Sequence, residues 1–181
     1  MRQNSDDIDV KISLGFAYLA VDKPKDALDA FEAVFKDHKN LSRVWDGRGL
    51  AFIALGDTAR GLVNRGTAAM IDNKNDDAMK FFDDALSANP DFPEAWSNKG
   101  VLFEKLQQYE DAANAYQQAL KRDHAAVVCM HNLGMLYIYH LNRRDEGLRW
   151  LKNTLKYDPQ RWFKLPSELR ADVDKAHYII D

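Results

Sequence analysis

The sequence predicts an all-α chain of antiparallel helix hairpins stacked as a helical repeat. Three observations carry this. Gly15, Gly49, Gly66, Gly100 and Gly134 follow one another at intervals of 34, 17, 34 and 34 residues, and a fixed period of this length marks a repeated two-helix unit. The small residues Ala27, Ala78, Ala112 and Gly147 are spaced by 51, 34 and 35, and Phe31, Phe82, Tyr116 and Leu151 repeat the same gaps. Within each segment the apolar residues recur three or four apart, along one face of a helix.

The elements follow in order. Ile8 to Leu41 reads as a first hairpin, with Leu14, Gly15 and Tyr18 on one helix and Ala27 and Phe31 on the next. Ser42 to Leu55, with Trp45, Gly49 and Phe52, reads as another first helix, and Leu55-Gly56-Asp57 as a turn. Thr58 to Asp72 follows, yet its Leu62 and Gly66 stand in first-helix register, and its partner is the strong second helix Asn75 to Ala88. One helix is therefore odd. The interval of 51, one period and a half, places the slip between Gly49 and Gly66, where a bend, a hinge or a subdomain boundary is expected. Pro90 stops the preceding helix.

Pro93 to Ala126 is the most regular hairpin: Trp96, Gly100, Phe103 and Leu106, a break at Gln107-Gln108, then Tyr109, Ala112, Tyr116, Ala119 and Leu120. An aromatic on one helix needs a small residue opposite it if the backbones are to approach. Val127 to Gln160 repeats the unit with one extra residue near Leu141–Arg144. A last helix from about Pro166 to Ile180 carries Leu169, Val173, Ala176 and Ile180 as a stripe and reads as the cap that such arrays need. Trp162 and Phe163 are expected to pack under it. The expected segments are 1–57, a hairpin plus a further helix; 58–160, the regular array; and 161–181, the cap, all in one continuous solenoid.

These marks resemble the tetratricopeptide repeat family, whose pattern is an aromatic, leucine–glycine and tyrosine on the first helix, then alanine, phenylalanine and a closing proline. Leu14-Gly15 with Tyr18, Ala78 with Phe82, Ala85 and Pro90, and Leu133-Gly134 with Tyr137 all match. His124 stands where proline is usual. The resemblance covers about residues 8–160. It implies a right-handed superhelix (an α-solenoid) whose first helices line a concave face, and a protein-binding function.

Composition narrows the alternatives. The 181 residues are 46% hydrophobic and 29% charged, as in an ordinary soluble domain. The net charge of −3 lacks the basic signature of a nucleic-acid binder. Cys129 is the single cysteine, which rules out an intrachain disulfide. No apolar run is long enough to span a membrane, and no leader is visible at Met1–Val10, so a cytoplasmic location is expected. His38, His124, His131, His140 and His177 show no metal-ligand spacing. No metal, cofactor or catalytic residue is therefore expected.

The candidate site is a groove on the inner face. Phe16, Leu50, Val63, Thr67, Val101, Met135 and Ile138 would line it, together with Ile12, Leu19 and Ile53, in a surface suited to an amphipathic helix or an extended apolar segment. Asn64, Asn98 and Asn132 are spaced by 34 and 34. Each offers donors and an acceptor, so a row of them would bind a peptide backbone without reading its side chains. This resembles the asparagine ladder in the repeat domain of O-GlcNAc transferase. The family's carboxylate grip is not expected, because Val63, Thr67, Val128 and Asn132 occupy its charged or amide places. The acids of Ile71–Glu94 and the bases of Leu141–Arg170 allow a head-to-tail contact. The expected function is a non-enzymatic scaffold that binds a partner peptide or helix. A self-assembling homo-oligomer is the alternative, and an RNA-binding repeat a more distant one.

Overall fold

The structure is a computed structural model that describes residues 2–176. It contains α1 (Arg2–Ala20), α2 (Pro24–Phe35), α3 (Ser42–Ala54), α4 (Thr58–Ile71), α5 (Asn75–Ala88), α6 (Pro93–Lys105), α7 (Tyr109–Arg122), α8 (Val127–Tyr139) and α9 (Arg144–Tyr157). A 3-10 helix (Pro159–Lys164) and α10 (Ser167–Lys175) follow. No strand occurs among the described residues. The chain forms two compact units, Met1–Asn98 and Lys99–Asp181, which divide within α6. The slip between Gly49 and Gly66 lies inside the first unit.

The helix ends follow from local chemistry. Pro24 starts α2, where its missing N–H costs nothing. The Asp57 carboxylate accepts a hydrogen bond from the Arg60 backbone N–H at 3.2 Å and caps α4. Asp76 and Asp77 open α5, Glu110 and Asp111 open α7, and Asp145 and Glu146 open α9. Each pair places negative charge at the positive end of a helix dipole.

Helix α4 belongs to two hairpins. Every left-handed residue among the described residues lies in a turn inside a repeat: Asp22, Gly56, Asn73, Gln107 and Asn142. They are 34, 17, 34 and 35 residues apart, so backbone geometry keeps the same period and the same slip as the glycines. Gly56 before α4 and Asn73 after it are both within-repeat turns. Helix α4 therefore serves as second helix to α3 and as first helix to α5.

Its two faces carry the two sets of marks. Toward α3, Gly61 takes the small-residue place and Arg65 the aromatic place. A Cβ on Gly61 would stand 2.6 Å from the Gly49 carbonyl oxygen, and one on Gly49 would stand 2.7 Å from that of Gly61. Only glycine on both helices permits this backbone approach. Toward α5, Gly66 receives the Phe82 ring. The odd helix expected from the sequence is thus a shared helix, packed on both neighbours. Trp45 Nε1 donates to the Lys39 carbonyl at 2.7 Å and Trp96 Nε1 to the Pro90 carbonyl at 3.3 Å, both pinning the turn before a first helix.

In the first unit, Phe31 is fully buried between Gly15 and Gly47 and packs with Ile12, Val34 and Val44. In the second unit, Leu148, Leu151, Leu165, Leu169 and Val173 form a core with Trp162 and Ala176 against it. The expected cap is present as α10 over Ser167–Lys175, and Leu169 and Val173 are its buried stripe. Trp162 packs beneath it, but Phe163 is 71% exposed and does not. The 3-10 turn at Pro159–Lys164 sends these adjacent residues to different sides. Ile180 and His177 lie outside the described residues.

Candidate functional site

A concavity of the first unit lies over α4. Its volume is about 520 Å³, and α1, α3, α4 and α5 all contribute to it. Ala68 and Ala69, both buried, lie in its floor. Two such small side chains, on the face of α4 between α3 and α5, leave space that a larger residue would fill. Phe16 of α1 and Phe81 of α5 add aromatic surface. Phe16 is held edge-on against Phe31, with ring centroids 5.1 Å apart.

Charge rims this apolar floor. Arg65 Nε donates to the Asp46 carboxylate at 3.0 Å, and its guanidinium lies over the Phe81 ring, 4.7 Å from the centroid. A cation–π contact and an ion pair together fix the Arg65 side chain between α3 and α5. Arg43 pairs with Asp9 at 3.3 Å, and Lys74 with Asp72 at 4.0 Å. On α5, Asp77, Lys80 and Asp84 also line the cleft.

The ten residues expected to line a groove are distributed differently. Phe16 lines the cleft. Val63 and Asn64 are buried, each 5% exposed. Asn64 Nδ2 donates to the Arg60 carbonyl at 2.8 Å, while its Oδ1 finds no protein partner. The Thr67 hydroxyl donates to the Val63 carbonyl at 3.0 Å. Leu50, Asn98 and Val101 are half-buried. Met135 and Ile138 pack against the core under α10. Of the further apolar residues on that face, Ile12 is buried in the first core and Leu19 packs against it. The sequence reading missed Arg65, Ala68, Ala69 and Phe81. The signal for them was Gly61, twelve residues after Gly49, as Ala27 follows Gly15.

Asn132 joins a buried network of the second unit. Tyr116 is fully buried, its hydroxyl donates to Glu104 Oε1 at 2.6 Å, and Asn132 Nδ2 donates to the Tyr116 oxygen at 3.3 Å. Burial first, then the Glu104 carboxylate, pushes the Tyr116 phenol well above the usual tyrosine range. The folded state therefore keeps this proton at a pH where the unfolded chain loses it. The stabilisation is complete below about pH 10 and is lost as pH rises above it. Alkaline denaturation should accordingly be shallower in Tyr116→Phe than in wild type. At neutral pH the same variant should be less stable by about 1–3 kcal/mol, because Glu104 and Asn132 lose a buried partner. Urea titrations at neutral pH and above about pH 10 check both statements.

Family membership follows from the repeats. Residues 59–92, 93–125 and 127–156 each match the tetratricopeptide repeat family, together more than half of the chain. The chain is a tetratricopeptide repeat protein. The first match begins at Ala59, so it takes α4 with α5, while α3, joined to α4 by the same turn and glycine geometry, lies outside the matches. Among relatives, Protein O-mannosyl-transferase Tmtc3 of Drosophila melanogaster is 30% identical over 96 residues, 53% of this chain and 10% of that protein. Tetratricopeptide repeat protein 6 of Homo sapiens is 28% identical over 133 residues, 64% of this chain and 25% of that protein. The chain thus spans a tenth and a quarter of the length of these two.

Solved structures share the fold. MamA superposes with a TM-score of 0.57 at 16% identity, over 81% of this chain and 95% of that one. TTC0263, a thermophilic TPR protein of Thermus thermophilus, gives 0.55 at 17% identity over 93% and 97%. YrrB, a TPR protein with an unusual peptide-binding site, gives 0.54 at 16% identity over 96% and 95%. The tetratricopeptide fold makes this chain a protein-interaction scaffold in general terms. No described helix is long and apolar enough to cross a membrane. Among the described residues, no group of three His, Cys, Asp or Glu side chains is placed to hold a metal ion.

Proposed function

We propose that this repeat protein binds an extended segment of a partner protein, and that the cleft over α4 receives it. The observation that carries this reading is the cleft itself: an alanine floor with Phe16 and Phe81 beside it and a charged rim fixed by the Arg65–Asp46 pair. Eight of the thirteen lining residues are charged, so the cleft combines a small apolar floor with a rim able to pair with a partner's charges. The volume is large enough for several side chains of an extended chain. YrrB supports peptide recognition on the same fold, though at 16% identity it lends nothing about residues. The work of such a scaffold is holding, which fits a cleft whose side chains are engaged in ion pairs and ring contacts.

The reading also retains the asparagine places as secondary contacts. Asn98 is half-buried, whereas Asn64 and Asn132 already use their amide donors inside the protein. The test uses an immobilised array of short random peptides. Wild type should retain a defined subset. Phe81→Ala removes aromatic surface from the cleft and the ring under Arg65, and should lose that subset with little change in melting temperature, since Phe81 is only half-buried. Asn98→Ala should keep most of it. Retention of the full subset by Phe81→Ala would exclude the cleft.

A further inference from the structure

We infer that the segment taken by this cleft is basic: lysine or arginine side chains three residues apart in an extended polyproline II segment, with an apolar residue between them. The inference rests on the cleft being the binding site and adds the chemistry of its ligand. Three of the four bases around the cleft have an acid of the protein beside them: Arg65 has Asp46 at 3.0 Å, and the more exposed Arg43 and Lys74 have Asp9 at 3.3 Å and Asp72 at 4.0 Å. Among the described residues, two carboxylates on the same wall, Asp77 and Asp84, make no ion pair, and the one base between them, Lys80, makes none either. With the internal pairs set aside, the cleft offers two free carboxylates against one free ammonium.

The spacing fits an extended ligand. Asp77 and Asp84 lie seven residues apart on α5, about 10 Å along the helix axis. Residues i and i+3 of a polyproline II segment, an extended helix with three residues per turn and a rise of about 3.1 Å, lie on the same face about 9 Å apart. Two basic side chains at that interval reach both carboxylates. An apolar side chain between them then meets Ala68, Ala69 and the Phe81 ring. The surroundings add to the preference, since Ile71 to Glu94 carries seven acids against Lys74 and Lys80. Negative potential of this kind raises the encounter rate with a basic partner and disfavours an acidic one.

The test is fluorescence anisotropy on the whole chain with three labelled probes. Each is a serine–leucine peptide carrying lysine, glutamate or glutamine at every third place. The lysine peptide should bind about tenfold more tightly than the glutamine peptide, and the glutamate peptide more weakly still. Asp77→Asn with Asp84→Asn should remove most of that preference. Lys80→Gln should tighten the lysine peptide about threefold, a gain in binding that misfolding would not produce. Raising salt from about 50 to about 500 mM should weaken it.

Two results overturn the basic ligand but leave the cleft standing: the glutamine or glutamate peptide binding as tightly as the lysine peptide, or a lysine preference unchanged in the double variant, each with Phe81→Ala still abolishing binding. No binding by any probe, or binding indifferent to Phe81→Ala, removes the cleft reading and this inference with it. Sedimentation of the chain alone checks the remaining occupant. Self-association abolished by the Asp77–Asp84 double variant would assign the cleft to a second copy and overturn the proposal.

Discussion

Replacing Gly61 by valine is expected to destabilise the unit Met1–Asn98 by about 3 kcal/mol, the upper part of the range for overpacking a tight core. The site has no room to yield. A Cβ there meets the Gly49 carbonyl oxygen at 2.6 Å and the Ile53 side chain at 2.5 Å. The first is backbone of a neighbouring helix, so relief requires α3 and α4 to separate. Valine adds a β-branched penalty within a helix. Gly56→Ala is the comparison. Its added methyl meets nothing within 4 Å, but the residue sits at φ +88°, so alanine there should cost about 1 kcal/mol through backbone strain alone. Urea unfolding of both variants against wild type measures the difference.

Phe82→Ala should cost about 3–5 kcal/mol, as is usual for deleting a fully buried phenylalanine. Phe82 is 0% exposed and rests on Gly66, so it holds α5 on α4 as the Gly61 contact holds α3. Its neighbour Phe81, half-buried in the cleft, should cost far less stability and far more binding. Because α4 is common to both hairpins, Gly61→Val and Phe82→Ala should each lower one shared transition of the first unit. Loss of α3 alone, with α4 and α5 still folded, would show that α4 is not the common element. Amide hydrogen exchange resolved along the helices reads this directly.

The period was fully legible in the sequence, because glycines and alanines must recur wherever two backbones approach. The slip was legible too, as an interval of 17. Its meaning was not. Arg65 occupies the place held elsewhere by Phe31, Phe82 and Tyr116, and this hid the second-helix character of α4. A long aliphatic stem under a guanidinium fills that place well enough, since Arg65 packs its stem near Gly49 and turns its charge to Asp46. The glycine spacing therefore marks one helix as odd where the structure has a shared one. The turn residues Gly56 and Asn73 held the missing information, because both permit a left-handed backbone.

The candidate site was less legible, for a physical reason. Register alone places residues on the inner face, but it does not say whether a neighbour covers them. Ile12, Val63 and Asn64 are covered, and Met135 and Ile138 lie against the core under α10. Asn132 sits in register with Asn98, yet the Tyr116 hydroxyl lies within its reach. The cleft arises only when α3 and α5 stand on either side of two alanines of α4. Its charge depends on pairings such as Arg43 with Asp9 that join residues far apart in sequence.

The most direct test is a two-dimensional amide NMR titration of the whole chain with the lysine-bearing peptide. Shifts should concentrate on Arg65, Ala68, Ala69, Lys80 and Phe81, with Asp77 and Asp84 moving together and the second unit unchanged. Shifts centred on Asn132, Met135 and Ile138, with the α4 and α5 amides still, would contradict the account.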